Sequence, residues 1–142
     1  METINIGARF APTPTSIREA RQFVVEQAQH APVTFPNGVL DDLALLVSEL
    51  ATNAVLHART PFAIDLSIEP DVVRVAVDDE SPDLPHPRVA GVDATTGRGL
   101  LILESLADRW GVKPLGPERP GKRVWFERAL APAPPRSQLT NA

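Results

Sequence analysis

The chain has 142 residues, 43% hydrophobic and 23% charged, with a formal net charge of −4 and no cysteine. That length holds one domain with a sizeable core, and the acidic balance with no Lys/Arg stripe argues against nucleic acid as a direct partner. Without cysteine, neither a disulfide framework nor a thiolate metal site can form, which points to an intracellular protein.

In chain order, the first residues, METINIGARF, lack the basic start and long apolar run of a signal peptide. Ile4 to Phe10 can form an edge strand. Thr13 as N-cap and Pro14 at the first helical position then open a helix. Ile17, Ala20, Phe23, Val24 and Ala28 give it an amphipathic period to about His30. A loop with Pro32, Pro36, Asn37 and Gly38 separates it from a second helix, Val39 to Ala58, ended by Thr60-Pro61. Its apolar run from Leu43 to Leu50 is interrupted by Ser48 and Glu49 and is too short to span a membrane, so a soluble cytoplasmic domain is expected.

Two strands follow. Phe62, Ile64, Leu66 and Ile68 alternate with Ala63, Asp65, Ser67 and Glu69. After Pro70-Asp71, Val73, Val75 and Val77 share a face with Asp79, so Asp79 rather than Asp78 meets the helices. Ser81 to Gly97 is a Pro-rich loop of the kind that is functional or mobile in compact domains, with His86 as a lid residue. A helix restarts after Gly97-Arg98-Gly99 and stops near Gly111. Strands around Val112–Leu115 and Arg123–Ala129 close the domain, and Trp110 and Trp125 are expected as core anchors. Residues 131–142 form a Pro-rich tail expected to be disordered, leaving 1–130 as a single domain. The order predicts an α+β fold, a two-layer α/β sandwich with helices on one face of a mixed, mostly antiparallel sheet.

The second helix carries a polar stripe where an apolar one would serve the core. Glu49, Asn53 and His57 recur at i, i+4 and i+8, on one side. Burying a carboxylate and an amide there costs several kcal/mol, on the order of what a charged, hydrogen-bonding ligand can offset. A Glu-x-x-x-Asn pair suits a magnesium-nucleotide: the amide oxygen of Asn53 is a hard ligand, and Glu49 can position or deprotonate a water or hydroxyl. A strand-end carboxylate, Asp79, can accept the exocyclic amine of adenine. Glycines ahead of a helix, Gly97 and Gly99, let backbone N–H groups approach phosphates.

In this order the segments resemble the Bergerat-fold ATP-binding family shared by gyrase and histidine kinases. They are most similar to the anti-sigma-factor serine kinases of the RsbW and SpoIIAB type. SELATNAVLHA (Ser48–Ala58) resembles the N box, and DDESPDLP (Asp78–Pro85) the first glycine box. TGRGLLILESLADRWGV (Thr96–Val112) resembles the second glycine box, and GKRVWFE (Gly121–Glu127) the closing strand. The resemblance covers roughly residues 8 to 130.

It implies ATP and Mg2+ as cofactors, with Glu49 as catalytic base, Asn53 as magnesium ligand and Asp79 as adenine reader. Ser81, Gly97, Arg98, Gly99 and Leu100 would be nucleotide-binding, and His57 structural. Ser81 and Pro82 stiffen a turn where the family usually has glycines, which lowers the expected nucleotide affinity. Arg123 aligns with a threonine near the adenine pocket, which removes one adenine-side hydrogen bond.

The implied function is a protein serine/threonine kinase acting on a STAS-domain anti-anti-sigma partner. The alternative is an ATP-gated module that binds a sigma factor without transferring phosphate. A homodimer is compatible with either, and neither needs a membrane.

Overall fold

The computed structural model describes residues 2–82 and 101–130. The alternating segments form β1 (Ile4–Phe10), β2 (Phe62–Ile68), β3 (Val72–Asp79), β4 (Arg109–Pro114) and β5 (Lys122–Ala129). These make one five-stranded sheet in the order β1-β2-β3-β5-β4. Every pairing among the described residues is antiparallel, so the sheet has no parallel component there.

The helical layer is built from α1 (Pro14–His30), α2 (Val39–Thr52) and a third helix, α3, over 101–106. In β2, Phe62, Ile64, Leu66 and Ile68 are buried while Asp65 is exposed, and Val73, Val75 and Val77 continue the buried face in β3. Leu43, Leu46, Val47 and Leu50 of α2 and Leu103 of α3 cover that face. Full burial of such a side chain contributes roughly 1.5–3 kcal/mol, so this layer contact is the main stabilising term. Helix α1 buries Ser16, Ala20, Val24 and Ala28, a stripe of small side chains, with Ile17 and Phe23 only half-buried beside it. Phe10 stacks on Phe62 at 5.2 Å and meets Phe23 edge-on at 6.2 Å, joining β1, β2 and α1 through aromatic contacts.

Helix α1 has the expected bounds, while the second and third helices end differently from the expectation. Thr13 is the N-cap of α1, but its hydroxyl bonds the hydroxyls of Thr15 and Ser16 rather than a backbone N–H. The second helix is not α-helical to Ala58: from Asn53 to Ala58 it widens into a π-helix, and the Arg59 N–H donates to the Ala54 carbonyl five residues back. Ser48 and Thr52 prepare this change, because their hydroxyls donate to the carbonyls of Ala44 and Ser48, and such back-bonding loosens the helical ladder. The third helix closes earlier than Gly111. The Ala107 N–H still reaches Leu103, but the Asp108 N–H donates to Glu127 and β4 begins at Arg109.

Trp110, paired with Phe126, faces the core. Trp125 does not. It lies half-buried on the sheet face away from the helices, against Gly111, with the Arg74 guanidinium 5.6 Å from its ring. The expected core role of Trp125 is therefore corrected by strand parity, since the core takes Val124 and Phe126. No helix among the described residues is long and apolar enough to cross a membrane. The tail over 131–142 lies outside the described residues.

Candidate functional site

Glu49 sits on the buried side of α2 and is only 5% exposed, on a helix whose neighbouring turns present Leu46 and Leu50 to the core. Asn53, one turn on, is the first residue of the π segment and half-buried. Its Oδ1 is fully buried and has no hydrogen-bond partner among the described residues. An orphaned amide oxygen at this depth costs about 1–3 kcal/mol, which ties it to an external partner more than to folding. His57 does not continue the stripe at depth: the wider π turn leaves it exposed, beside exposed Leu56.

Asp79 ends β3 on the helix-facing side. It pairs with buried Phe62 of β2 and with Lys122 of β5, and directly paired residues share a face. The expected choice of Asp79 over Asp78 is thus what the register gives. Asp79 is 5% exposed, and its Oδ1 accepts the Ser81 N–H at 2.9 Å, closing the turn that leaves the strand. The Thr60 hydroxyl accepts the Glu80 N–H at 3.0 Å, which joins the end of the π segment to the end of β3. The helix that carries Asn53 and the strand that carries Asp79 therefore finish at the same end of the sheet.

The structure moves Arg123 out of this site. Its register partner is Asp78, and both point to the face away from the helices, where Arg123 Nε donates to Asp78 Oδ1 at 2.6 Å. A second hydrogen bond to Asp78 and one to Asp65 complete its contacts, and the Asp78 hydrogen bond raises the guanidinium pKa above its ordinary value against the opposing effect of burial. The residue that does lie opposite Asp79 is Lys122, which is 7% exposed. Its Nζ is 2.9 Å from Asp79 Oδ2 and donates to Oδ1 at 3.1 Å.

Sequence reasoning missed Lys122. The signal was available: Val124 and Phe126 are the apolar positions of that strand, so Lys122 has their parity and Arg123 the opposite one.

Gly121 holds this corner. It has φ +125°, and a Cβ there would collide with the Asp79 carbonyl oxygen. The turn before β5 therefore needs glycine for both conformation and clearance, and that places Lys122 against Asp79. Gly97, Arg98, Gly99 and Leu100, expected at the phosphate end, lie outside the described residues, as do His86 and most of the Pro-rich loop. Leu103 is fully buried, so the helix that follows those glycines is seated on the core.

A buried carboxylate and an unsatisfied amide oxygen on successive turns, on a helix that ends at the same end of the sheet as a buried strand-end aspartate, fit a nucleotide-binding module. The model of the histidine kinase-like ATPase domain matches residues 10–127. The chain belongs to the histidine kinase-like ATPase domain family. The matched span runs from the last residue of β1 into β5 and contains every element of the candidate site. Binding of ATP is the function that membership of this ATPase family carries. The chain is also similar to an uncharacterized protein of Streptomyces coelicolor, at 37% identity over 51% of this chain and 74% of the relative.

Proposed function

We propose that this histidine kinase-like ATPase domain is a regulatory protein serine/threonine kinase of the anti-sigma-factor type, phosphorylating a STAS-domain anti-anti-sigma partner. The observation that carries this reading is the buried Glu49 placed one turn before the orphaned Oδ1 of Asn53. A module that only held nucleotide could lose that carboxylate freely, so its presence favours the kinase.

The described residues contain no group of three or more His, Cys, Asp or Glu able to hold a metal ion. Magnesium keeps water and phosphate oxygens and takes only one or two protein ligands. Asn53 Oδ1 would be the protein ligand. Bound Mg2+ would neutralise charge on the β- and γ-phosphates of ATP. Glu49 would accept the proton of the attacking serine or threonine hydroxyl as its oxygen bonds to the γ-phosphorus and the bond to the ADP oxygen breaks. Asp79 would accept a hydrogen bond from the base, and Ser81 would fix the carboxylate through its N–H. The resemblance adds Gly97, Arg98, Gly99 and Leu100 as the phosphate-loop residues.

The test is transfer of the γ-phosphate of ATP to purified STAS-domain proteins from the same genome, with Glu49→Gln alongside. Transfer to a serine or threonine by the wild type, lost in Glu49→Gln with ATP affinity retained, supports the kinase. Magnesium-dependent ATP binding with no transfer, and partner affinity that changes with ATP, instead identifies the ATP-gated binding module.

A further inference from the structure

The sheet face away from the helices takes no part in the nucleotide site. Strand pairing sets Gly7, Asp65, Ala76, Trp125 and Gly111 side by side in one row across all five strands. Gly7, Ala76 and Gly111 have a methyl side chain or none, so the row forms a trough. At its β4 end the next rows supply the walls, Arg74 and Arg109 on one side and Arg123 and Lys113 on the other. The hollow there is about 280 Å³ and is lined by those four cations with Ala76 and Trp125. It shares Arg74, Ala76 and Arg123 with the groove of about 500 Å³ that runs on to β1.

We propose that this trough binds an extended acidic segment of a partner protein, with the carboxylates of that segment over the Trp125 end. Charge complementarity carries the assignment. No carboxylate lines the hollow. The acidic groups of that end lie lower: Glu127 is buried beneath exposed Arg74 and Arg109, and Asp78 is only 13% exposed against Arg123. One carboxylate therefore serves two arginines, and exposed Lys113 makes no ion pair among the described residues. A chain of net charge −4 thus presents a concave cationic surface, which attracts and orients an anionic partner. Strands lie about 4.8 Å apart and an extended chain rises about 3.3 Å per residue, so about six residues cross the sheet.

Two other occupants fit less well. A second copy of this chain would bring the same four cations against themselves. Nucleic acid would use Trp125 for base stacking, yet that ring is already packed. A Cβ on Gly111 would come within 2.8 Å of it, and the Arg74 guanidinium lies 5.6 Å from its centroid.

The experiment is an NMR titration of the 15N-labelled full chain with hexaglutamate at low ionic strength. It compares the wild type with Lys113→Glu, Arg109→Gln and Arg18→Glu, with circular dichroism to confirm folding. Arg18 is exposed on α1, in the helical layer, and its reversal changes net charge as much as that of Lys113. The wild type is expected to bind saturably with Kd of about 1 mM or tighter, with shifts concentrated at the Trp125 indole N–H, Gly111 and Gly7. Lys113→Glu should weaken binding at least about fivefold and Arg109→Gln about twofold to threefold, while Arg18→Glu stays within about twofold of the wild type. Affinity for Mg-ATP should stay within about twofold in Lys113→Glu, because the trough is separated from Glu49 and Asn53 by the sheet.

Absence of saturation, shifts spread over the whole surface, or equal weakening by Lys113→Glu and Arg18→Glu overturns the proposal and leaves the nucleotide reading untouched. An oligothymidylate that binds the same residues more tightly than hexaglutamate also overturns it, in favour of nucleic acid. A dimer seen by sedimentation equilibrium and dissociated by Lys113→Glu overturns it in favour of a second copy. If Lys113→Glu does not fold, Arg109→Gln against Arg18→Glu decides.

Discussion

Asp78 and Asp79 are neighbours in the chain at the end of β3, each with a basic partner one step along β5, and the sheet sends them to opposite faces. Asp78 meets Arg123 on the face away from the helices, where Asp65 joins them beside an open groove of about 500 Å³. Asp79 meets Lys122 under the helices, where both side chains are less than a tenth exposed. Similar charge pairs thus do different work. The Arg123 cluster is a partly solvated clasp between β2, β3 and β5, of the sort that contributes ~0–1 kcal/mol. The Lys122 pair is desolvated, so each member is costly without the other.

The largest expected effect is on the buried pair. Asp79→Ala strands the Lys122 ammonium and should cost about 3–5 kcal/mol in a urea titration, with Asp78→Ala as the control at about 1 kcal/mol or less. Equal losses would erase the distinction between the two faces. Gly121→Ala comes next. A side chain at φ +125° against the Asp79 carbonyl should destabilise by about 2 kcal/mol or more, and a thermal melt matching the wild type would show that the corner can relax.

Arg123→Gln should cost about 1 kcal/mol or less, a loss that shrinks in high salt, and should leave ATP affinity within about twofold. A large loss of ATP affinity would return Arg123 to the nucleotide site. The smallest stability change is expected for Asn53→Ala. Removing the orphaned oxygen relieves its desolvation cost but also loses the packing of the half-buried amide, so the net shift in stability should stay within about 0.5 kcal/mol, while magnesium-dependent binding disappears.

Much of this was legible where period alone decides the structure. The alternation Phe62, Ile64, Leu66, Ile68 gave β2 residue for residue, and the same parity put Asp79 rather than Asp78 on the helical side. The Glu49/Asn53 spacing also survived, because the change to π geometry begins at Asn53 and not before it. What failed was what local periodicity does not encode. The helix expected to reach Gly111 stops earlier, because the pairing of Arg109 with Glu127, far along the chain, draws the segment after it into the sheet. His57 left the stripe because a backbone widening changed the phase after the last buried turn. Lys122 was overlooked through a one-residue alignment slip, which in a strand exchanges the two faces.

Glu49, Asn53 and Asp79 are expected to form one magnesium-nucleotide site. Calorimetric titration of the wild type with ATP, with and without magnesium and with Asn53→Ala in parallel, tests it most directly. Saturable one-to-one binding that requires magnesium in the wild type and is lost in a folded Asn53→Ala is the predicted result. An Asn53→Ala that binds Mg-ATP like the wild type, or a wild type that binds no ATP, would contradict it.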